Sequence, residues 1–121
     1  MLILFSVHAY AQVITPWVAP PEANALINPI AGDKDKLANA HILYNNYCAQ
    51  CHGYKGKGDG PVAAMLNPHP ADHTSPSVQS QTDGALFWKI KTGRGQMQPY
   101  ADKLTEQQRW SLVNYIRTLK N

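Results

Sequence analysis

Apolar residues recur at helical spacing in three parts of the chain, and the alternation typical of a β-strand appears nowhere in the sequence. The spacing predicts helices over residues 33–47 and 82–92, and a third that begins at the capping box Thr105–Gln108. Thr82 can cap the second helix, and Gly93 follows its last residue. The apolar faces consist of Leu37, Ala40, Tyr44 and Tyr47, then Leu86, Phe87 and Ile90, and finally Val113, Ile116 and Leu119.

Glycine and proline break this pattern between the predicted helices. Residues 53–60 contain four glycines and residues 67–80 contain three prolines, so both stretches are predicted to be irregular loops. Pro61 can open a short helical turn between them, and residues 93–99 form a third predicted loop. The pattern therefore predicts an all-α domain of about four helices within residues 33–121.

Residues 12–32 are rich in Pro, Ala and Asn and show no regular period. We expect an extended arm that wraps the domain or reaches a partner, with Trp17 and Ile30 as its anchors. A disordered linker is the alternative that this composition leaves open.

The first eleven residues have features of an export signal. Met1–Val7 is apolar, and Ala9–Ala11 fits an A-x-A cleavage site that would leave Gln12 as the first mature residue. The apolar run is short and no Lys or Arg precedes it, so an arbitrary apolar terminus is the alternative. No segment approaches the roughly 20 apolar residues of a membrane helix. We expect a soluble protein exported to the periplasm.

Composition and charge narrow the class of protein. The 121 residues, 44% hydrophobic and 16% charged, suit one ordinary globular domain. The net charge of +3 without any run of like charges argues against a dedicated nucleic-acid binder. It remains compatible with docking to an acidic protein surface.

The run Cys48-Ala-Gln-Cys51-His52 carries the main candidate chemistry. A C-x-x-C-H run is an attachment site for c-type haem, in which the two thiols form thioether bonds with the vinyl groups. The adjacent histidine can then bind the iron as the proximal ligand. Cys48 and Cys51 are the only cysteines in the chain. The sequence therefore predicts one covalent haem held by Cys48 and Cys51, with His52 on the iron.

The sixth iron position has several candidate ligands. We favour Met97, which lies 45 residues beyond His52 in a loop bounded by glycine and proline. A thioether is a soft, neutral ligand that favours ferrous iron. Met65 lies in a short apolar turn, where core filling explains it. The remaining candidates are His41, His69 and His73.

Two other classes of site compete with this interpretation. The cysteine pair with His69 and His73 formally matches a zinc site, but Pro68 and Pro70 exclude the helix that a zinc finger needs there. A thioredoxin-like motif lacks its βαβ pattern, and a disulfide across so short a loop is disfavoured. A haem with an open iron site could bind gases or act as a peroxidase, for which Arg94 and His73 are available.

Together, these motifs resemble the class I, bacterial-type cytochrome c family, which carries one haem, and the resemblance extends over residues 33–120. It implies an all-α cytochrome c fold around one covalent haem c. It also implies a carrier of single electrons that transforms no substrate. The resembling segments are Ala40–Tyr44, Cys48–Gly53, Gly56–Pro61, Gly84–Phe87, Gly93 with Met97, and Trp110–Arg117.

The resemblance assigns roles to individual residues. His52 and Met97 would be the axial ligands. The Pro61 carbonyl would accept a hydrogen bond from His52 Nδ1, which fixes the imidazole ring.

The resemblance also implies a close crossing of the first and last helices. Ala40 and Tyr44 would meet Tyr115 at this crossing. The sequence departs from the family in two places: the family often has glycine at the position of Ala40, and Gln98 here separates Met97 from Pro99.

The expected partners are redox proteins with an acidic docking surface, with no nucleic acid and no small-molecule substrate. The arm resembles the leaders of cytochrome subunits in larger respiratory assemblies, which implies association with a membrane complex. A positive docking rim is predicted around the haem edge, and solvated cations without a partner role are the alternative. The cations of this rim are Lys55, Lys57, Lys89, Lys91, Arg94 and Lys103.

Overall fold

The computed structural model describes residues 15–121. The predicted signal at residues 1–11 lies outside the described residues, as does the start of the arm at residues 12–14. Residues 15–121 contain six α-helices and no strand, so the predicted all-α class is confirmed. None of these helices is both long enough and apolar enough to cross a membrane. The helices are α1 (Pro21–Asn24), α2 (Leu37–Tyr47), α3 (Ala49–His52), α4 (Pro76–Gln79), α5 (Asp83–Thr92) and α6 (Glu106–Thr118).

The three longest helices are those that the apolar spacing predicts, and the predicted caps of α5 and α6 form. The side chain of Thr82 accepts from the Ala85 amide at the start of α5. Thr105 and Gln108 form the full capping box at the start of α6. These caps satisfy amides that the helix itself leaves without partners, which fixes where each helix begins.

Helices α2 and α6 cross in close contact, as the sequence implies. Ala40 has no exposed surface. Its small side chain lets the backbones of the two helices approach each other closely. The Tyr44 ring lies 4.9 Å from the Tyr115 ring across this crossing. Leu112 and Val113 of α6 are also fully buried there. The crossing places the end of α2, and the cysteine motif that follows, against the main core, which is the buried cluster that includes Tyr44, Phe87, Trp110 and Val113.

The prediction of a continuous loop over residues 67–80 is wrong, because α4 lies within it. The Ser75 side chain caps α4 by accepting from the Val78 amide, and Pro76 occupies the first turn. Val78 is buried in the main core. Pro76, one of the three prolines that predict a loop, is therefore the residue that starts this helix.

The described part of the arm is folded onto the domain, and it is not extended throughout. Its one-turn helix α1 packs on α5 at Gly84, where the absence of a side chain lets the Ala23 carbonyl approach. Asn28 is buried and donates hydrogen bonds to Asp83 and Asn114 at 3.1 and 2.7 Å. The expected anchors Trp17 and Ile30 both pack against the domain, Trp17 on Trp88 and Ile30 on the main core.

Replacing Gly84 with alanine should displace the arm, because the new Cβ would collide with the backbone carbonyls of Ala23 and Leu26. We expect the free energy of unfolding to fall by about 2 kcal/mol. Loss of the Trp17–Trp88 contact in NMR spectra would report the displacement. Gly32→Ala is the matched control: a side chain at that position meets open space, so only the positive φ of 75° should cost stability, about 1 kcal/mol, and the arm should stay in place. Persistence of the contact in Gly84→Ala would contradict this account.

Candidate functional site

The cysteine motif lies at the junction between α2 and α3. The Cys48 amide donates to the Tyr44 carbonyl at 2.8 Å and so ends α2. The amides of Cys51 and His52 then both donate to the Cys48 carbonyl, at 3.2 and 2.9 Å. This turn places the two thiols one helical turn apart. Both cysteines are free and half-buried, as attachment of a group through both sulfurs requires.

The His52 ring is held in one tautomer. Its Nδ1 lies 2.9 Å from the Ala71 carbonyl oxygen, which can only accept, so Nδ1 carries the proton. The lone pair of Nε2 is therefore free to bind a metal. Burial lowers the pKa of His52, against the opposing effect of the bond to Ala71. A neutral imidazole is the form that an iron ligand needs.

The acceptor for His52 Nδ1 is Ala71, where the resemblance implied Pro61. The residues on either side of Pro61 explain the difference. The amides of Gly60 and Val62 donate to the carbonyls of Cys51 and Gln50, both at 3.1 Å. Pro61 is thereby held against the backbone of the motif, and the chain brings a later carbonyl to the imidazole.

His73 is a part of the site that sequence reasoning missed in this role. Its ring stacks on His52, with ring centres 4.0 Å apart and planes 20° from parallel. Its Nδ1 is 2.8 Å from the Tyr44 hydroxyl. Burial, and the nearby His52, hold the pKa of His73 well below its ordinary value. The ring is therefore a neutral support for His52 on the same side of the site.

Residues 93–99, here called the Met97 loop, form a tight turn. The Arg94 amide donates to the Met97 carbonyl at 2.9 Å, and the Met97 amide donates to the Arg94 carbonyl at 3.0 Å. Gly95 lies at the tip with a positive φ of 57°, which favours glycine. The Met97 side chain is half-buried and packs on the same core cluster as Cys48.

Tyr100 ties the Met97 loop to the cysteine motif, a role that no sequence pattern indicates. Its amide donates to the Ile90 carbonyl at 3.1 Å, which closes the loop onto the end of α5. Its hydroxyl donates to the carbonyl of Tyr47, directly before Cys48, at 2.9 Å. The phenol thus links the two chain segments that carry the candidate ligands.

The other candidate ligands lie elsewhere. Met65 is 74% exposed, so the expectation that it fills the core is wrong, and His69 is exposed. His41 is exposed and stacks on Tyr115 at 5.1 Å. Among residues 15–121, no three side chains of the types His, Cys, Asp and Glu form a group that could hold a metal ion. The described residues therefore do not assemble the four ligands of the zinc alternative.

Two of the six cations of the predicted rim contact the arm. Lys89 and Arg94 lie over the Trp17 ring, at 5.3 and 5.2 Å from its centre. Lys89 is half-buried and also donates to Gln81 at 2.7 Å. The four rim cations that are exposed and do not contact Trp17 are Lys55, Lys57, Lys91 and Lys103.

These residues fit a covalent haem. Two thiols stand one turn apart, followed by a neutral imidazole whose Nε2 is free. The all-α fold and this donor set define the chain as a c-type cytochrome, with haem c attached through Cys48 and Cys51.

Comparisons with known proteins identify the family. The model of the family described as cytochrome c oxidase, cbb3-type, subunit III matches residues 35–116, more than half of the chain. The chain therefore belongs to this family, and the resemblance to class I cytochrome c is confirmed. It is an electron-carrying haem protein. None of the curated proteins compared with it matches.

Two solved structures are similar to this chain. One belongs to the Kuenenia stuttgartiensis reducing HAO-like protein complex Kustc0457/Kustc0458, with 23% identity and a TM-score of 0.67. That match covers 77% of this chain but only 47% of the other, so this chain spans about half the other's length. The second is the KustC0563 c-type cytochrome, with 25% identity and a TM-score of 0.60. It covers 68% of this chain and 98% of the other.

Proposed function

We propose that this cytochrome transfers single electrons through a haem whose axial ligands are His52 and Met97. The bond from His52 Nδ1 to Ala71 carries the proposal, because it leaves Nε2 as the only nitrogen of the ring that can bind iron. Met97 is supported by its loop, whose backbone is paired at both ends and tied by Tyr100 to the residue before Cys48.

The bound haem would supply a one-electron Fe(III)/Fe(II) couple. The surrounding residues keep their arrangement fixed around it. His52 is oriented by a backbone carbonyl and by the stacked ring of His73, which is itself bonded to Tyr44. Ligands held in one geometry in both oxidation states need little rearrangement when an electron moves. Such a site is suited to electron transfer, and a filled sixth position leaves no place for a substrate.

We further propose an extracytoplasmic location, in the periplasm, and a role in a respiratory chain. The apolar first residues and the A-x-A run support export, and residues 33–121 would form the haem domain. The partner would be a redox protein with an acidic face, recognised by the exposed lysines. The family description, which names a subunit of an oxidase, supports association with a membrane complex, and one similar structure is part of a protein complex.

A peroxidase-like or gas-binding haem is the alternative function. A peroxidase needs an acid or base on the face of the haem opposite the proximal histidine. His73 stacks directly on His52 and therefore lies on the proximal side. The Arg94 guanidinium is bonded to Thr15 and packed on Trp17. Neither residue is thus placed as a distal group, which favours electron transfer.

Carbon monoxide binding to the ferrous protein at neutral pH tests the proposed coordination. We expect slow and incomplete binding, because Met97 must first leave the iron. Stopped-flow absorption in the Soret region measures the rate. Rapid and complete binding would mean an open sixth position and would favour the gas-binding alternative.

A further inference from the structure

The tip of the N-terminal arm, residues 15–17, touches the Met97 loop. Arg94 Nη1 donates a hydrogen bond to the Thr15 carbonyl oxygen at 3.0 Å. The guanidinium carbon of Arg94 also lies 5.2 Å from the centre of the Trp17 ring. The arm therefore holds the Arg94 side chain at two points, although this side chain is at the surface.

The Trp17 ring is placed by helix α5. It lies 6.3 Å from the Trp88 ring, at an angle of 58°. The Lys89 ammonium lies 5.3 Å from the centre of the Trp17 ring, so two cations share one indole. Like charges repel, and the negative face of the indole offsets this repulsion. Removing Trp17 would leave the repulsion between these two cations without this offset.

The position of Arg94 is passed on to Met97 by the backbone. Arg94 and Met97 exchange both backbone hydrogen bonds, at 2.9 and 3.0 Å, with only Gly95 and Gln96 between them. A displacement of the Arg94 backbone must therefore move the Met97 backbone or break this pair. The Gln96 side chain accepts from the Asn67 amide at 2.9 Å and holds the loop on its other side.

The base of the arm is fixed independently of its tip. The close approach at Gly84 and the buried Asn28 hold residues 23–28 against α5 and α6. The chain between this base and the tip includes Ala19. Ala19 is buried in a small cluster with Ala23 and Ala85, and Trp88 packs against this cluster. The tip is therefore presented to the Met97 loop in a defined position.

We propose that Thr15 and Trp17 clamp the Met97 loop through Arg94 and so make Met97 harder to displace from the haem iron. A ligand on a pre-organised loop loses less conformational freedom when it binds the metal. Trp17 and Arg94 are positioning residues in this scheme, since neither touches the iron. The inference rests on the proposed function, because it takes Met97 as the axial ligand.

The test titrates the ferric holoprotein with imidazole, which binds the iron when Met97 leaves it. We expect Trp17→Ala and Arg94→Gln to bind imidazole about tenfold more tightly than the unmodified protein. Trp17→Ala loses the cation–π contact, and Arg94→Gln loses that contact and a charged hydrogen bond. Trp17→Phe should remain close to the unmodified protein, because an aromatic face is retained. Ile27→Ala is the control, at a position that is 86% exposed on the same arm.

Hydrogen exchange at the Arg94 and Met97 amides gives a second readout that does not depend on an iron–sulfur bond. Both amides are paired, and we expect both to exchange faster in Trp17→Ala and Arg94→Gln. Unchanged imidazole affinity in both variants overturns the clamp, whether or not exchange becomes faster.

The Met97→Ala variant separates the two proposals. Raised imidazole affinity in Met97→Ala, with the affinities of Trp17→Ala and Arg94→Gln both unchanged, rejects the clamp alone. Unchanged affinity in Met97→Ala rejects Met97 as the ligand, and the clamp with it. Arg94 is exposed, so Arg94→Gln keeps the test valid if Trp17→Ala fails to fold.

Discussion

Replacing Met97 with alanine should remove the weak long-wavelength absorption band that a sulfur–iron bond gives the ferric protein. The reduction potential should fall by on the order of 0.1 V, since axial ligands tune haem over a range of about 0.8 V. The physical reason is that a neutral thioether favours Fe(II), and its loss leaves water or a harder ligand on the iron. Absorption spectra and a redox titration measure both effects.

The matched control for this change is Met65→Ala. Met65 is 74% exposed in the short turn Ala63–Met65, so its replacement should alter neither the band nor the potential. The Met97→Ala protein should still hold its haem covalently, because Cys48 and Cys51 are unchanged. A ferric spectrum of Met97→Ala that equals that of the unmodified protein would refute Met97 as the sixth ligand.

Replacing Gly60 with alanine should destabilise the haem motif strongly. A Cβ at Gly60 would lie within 2.5 Å of the Ala49 carbonyl oxygen and would also collide with the Gln50 backbone. These atoms belong to helix α3, so they cannot move aside as a flexible side chain can. We expect the free energy of unfolding to fall by about 3 kcal/mol, near the upper end for overpacking. Urea unfolding of the holoprotein measures this change.

The same change should reduce covalent haem attachment, because the Gly60 amide donates to the Cys51 carbonyl and supports the turn between the thiols. Haem staining on denaturing gels measures the attached fraction. Gly32→Ala is again the control: its positive φ of 75° should cost about 1 kcal/mol, with attachment unaffected. Equal unfolding energies for the two variants would show that the backbone at Gly60 yields.

The sequence predicted the long helices well because the signals for them are local. The caps at Thr82 and Thr105 each act on an amide three residues away, and both form as expected. The short helix α4 was missed because a proline such as Pro76 indicates a loop as readily as a helix start. The arm at residues 12–32 has no apolar period, so its docking through Gly84 depends on a surface that only the folded domain provides.

By itself the sequence determined the class of protein, since the C-x-x-C-H run and the helical pattern are read from neighbouring residues. Only the tertiary structure decided what supports the site. The acceptor for His52 is a backbone carbonyl 19 residues away, at Ala71. The stacking of His73 and the bond from Tyr100 likewise depend on segments brought together by folding. Every residue has a carbonyl, so no sequence pattern can mark the one that the fold brings to an imidazole or a phenol.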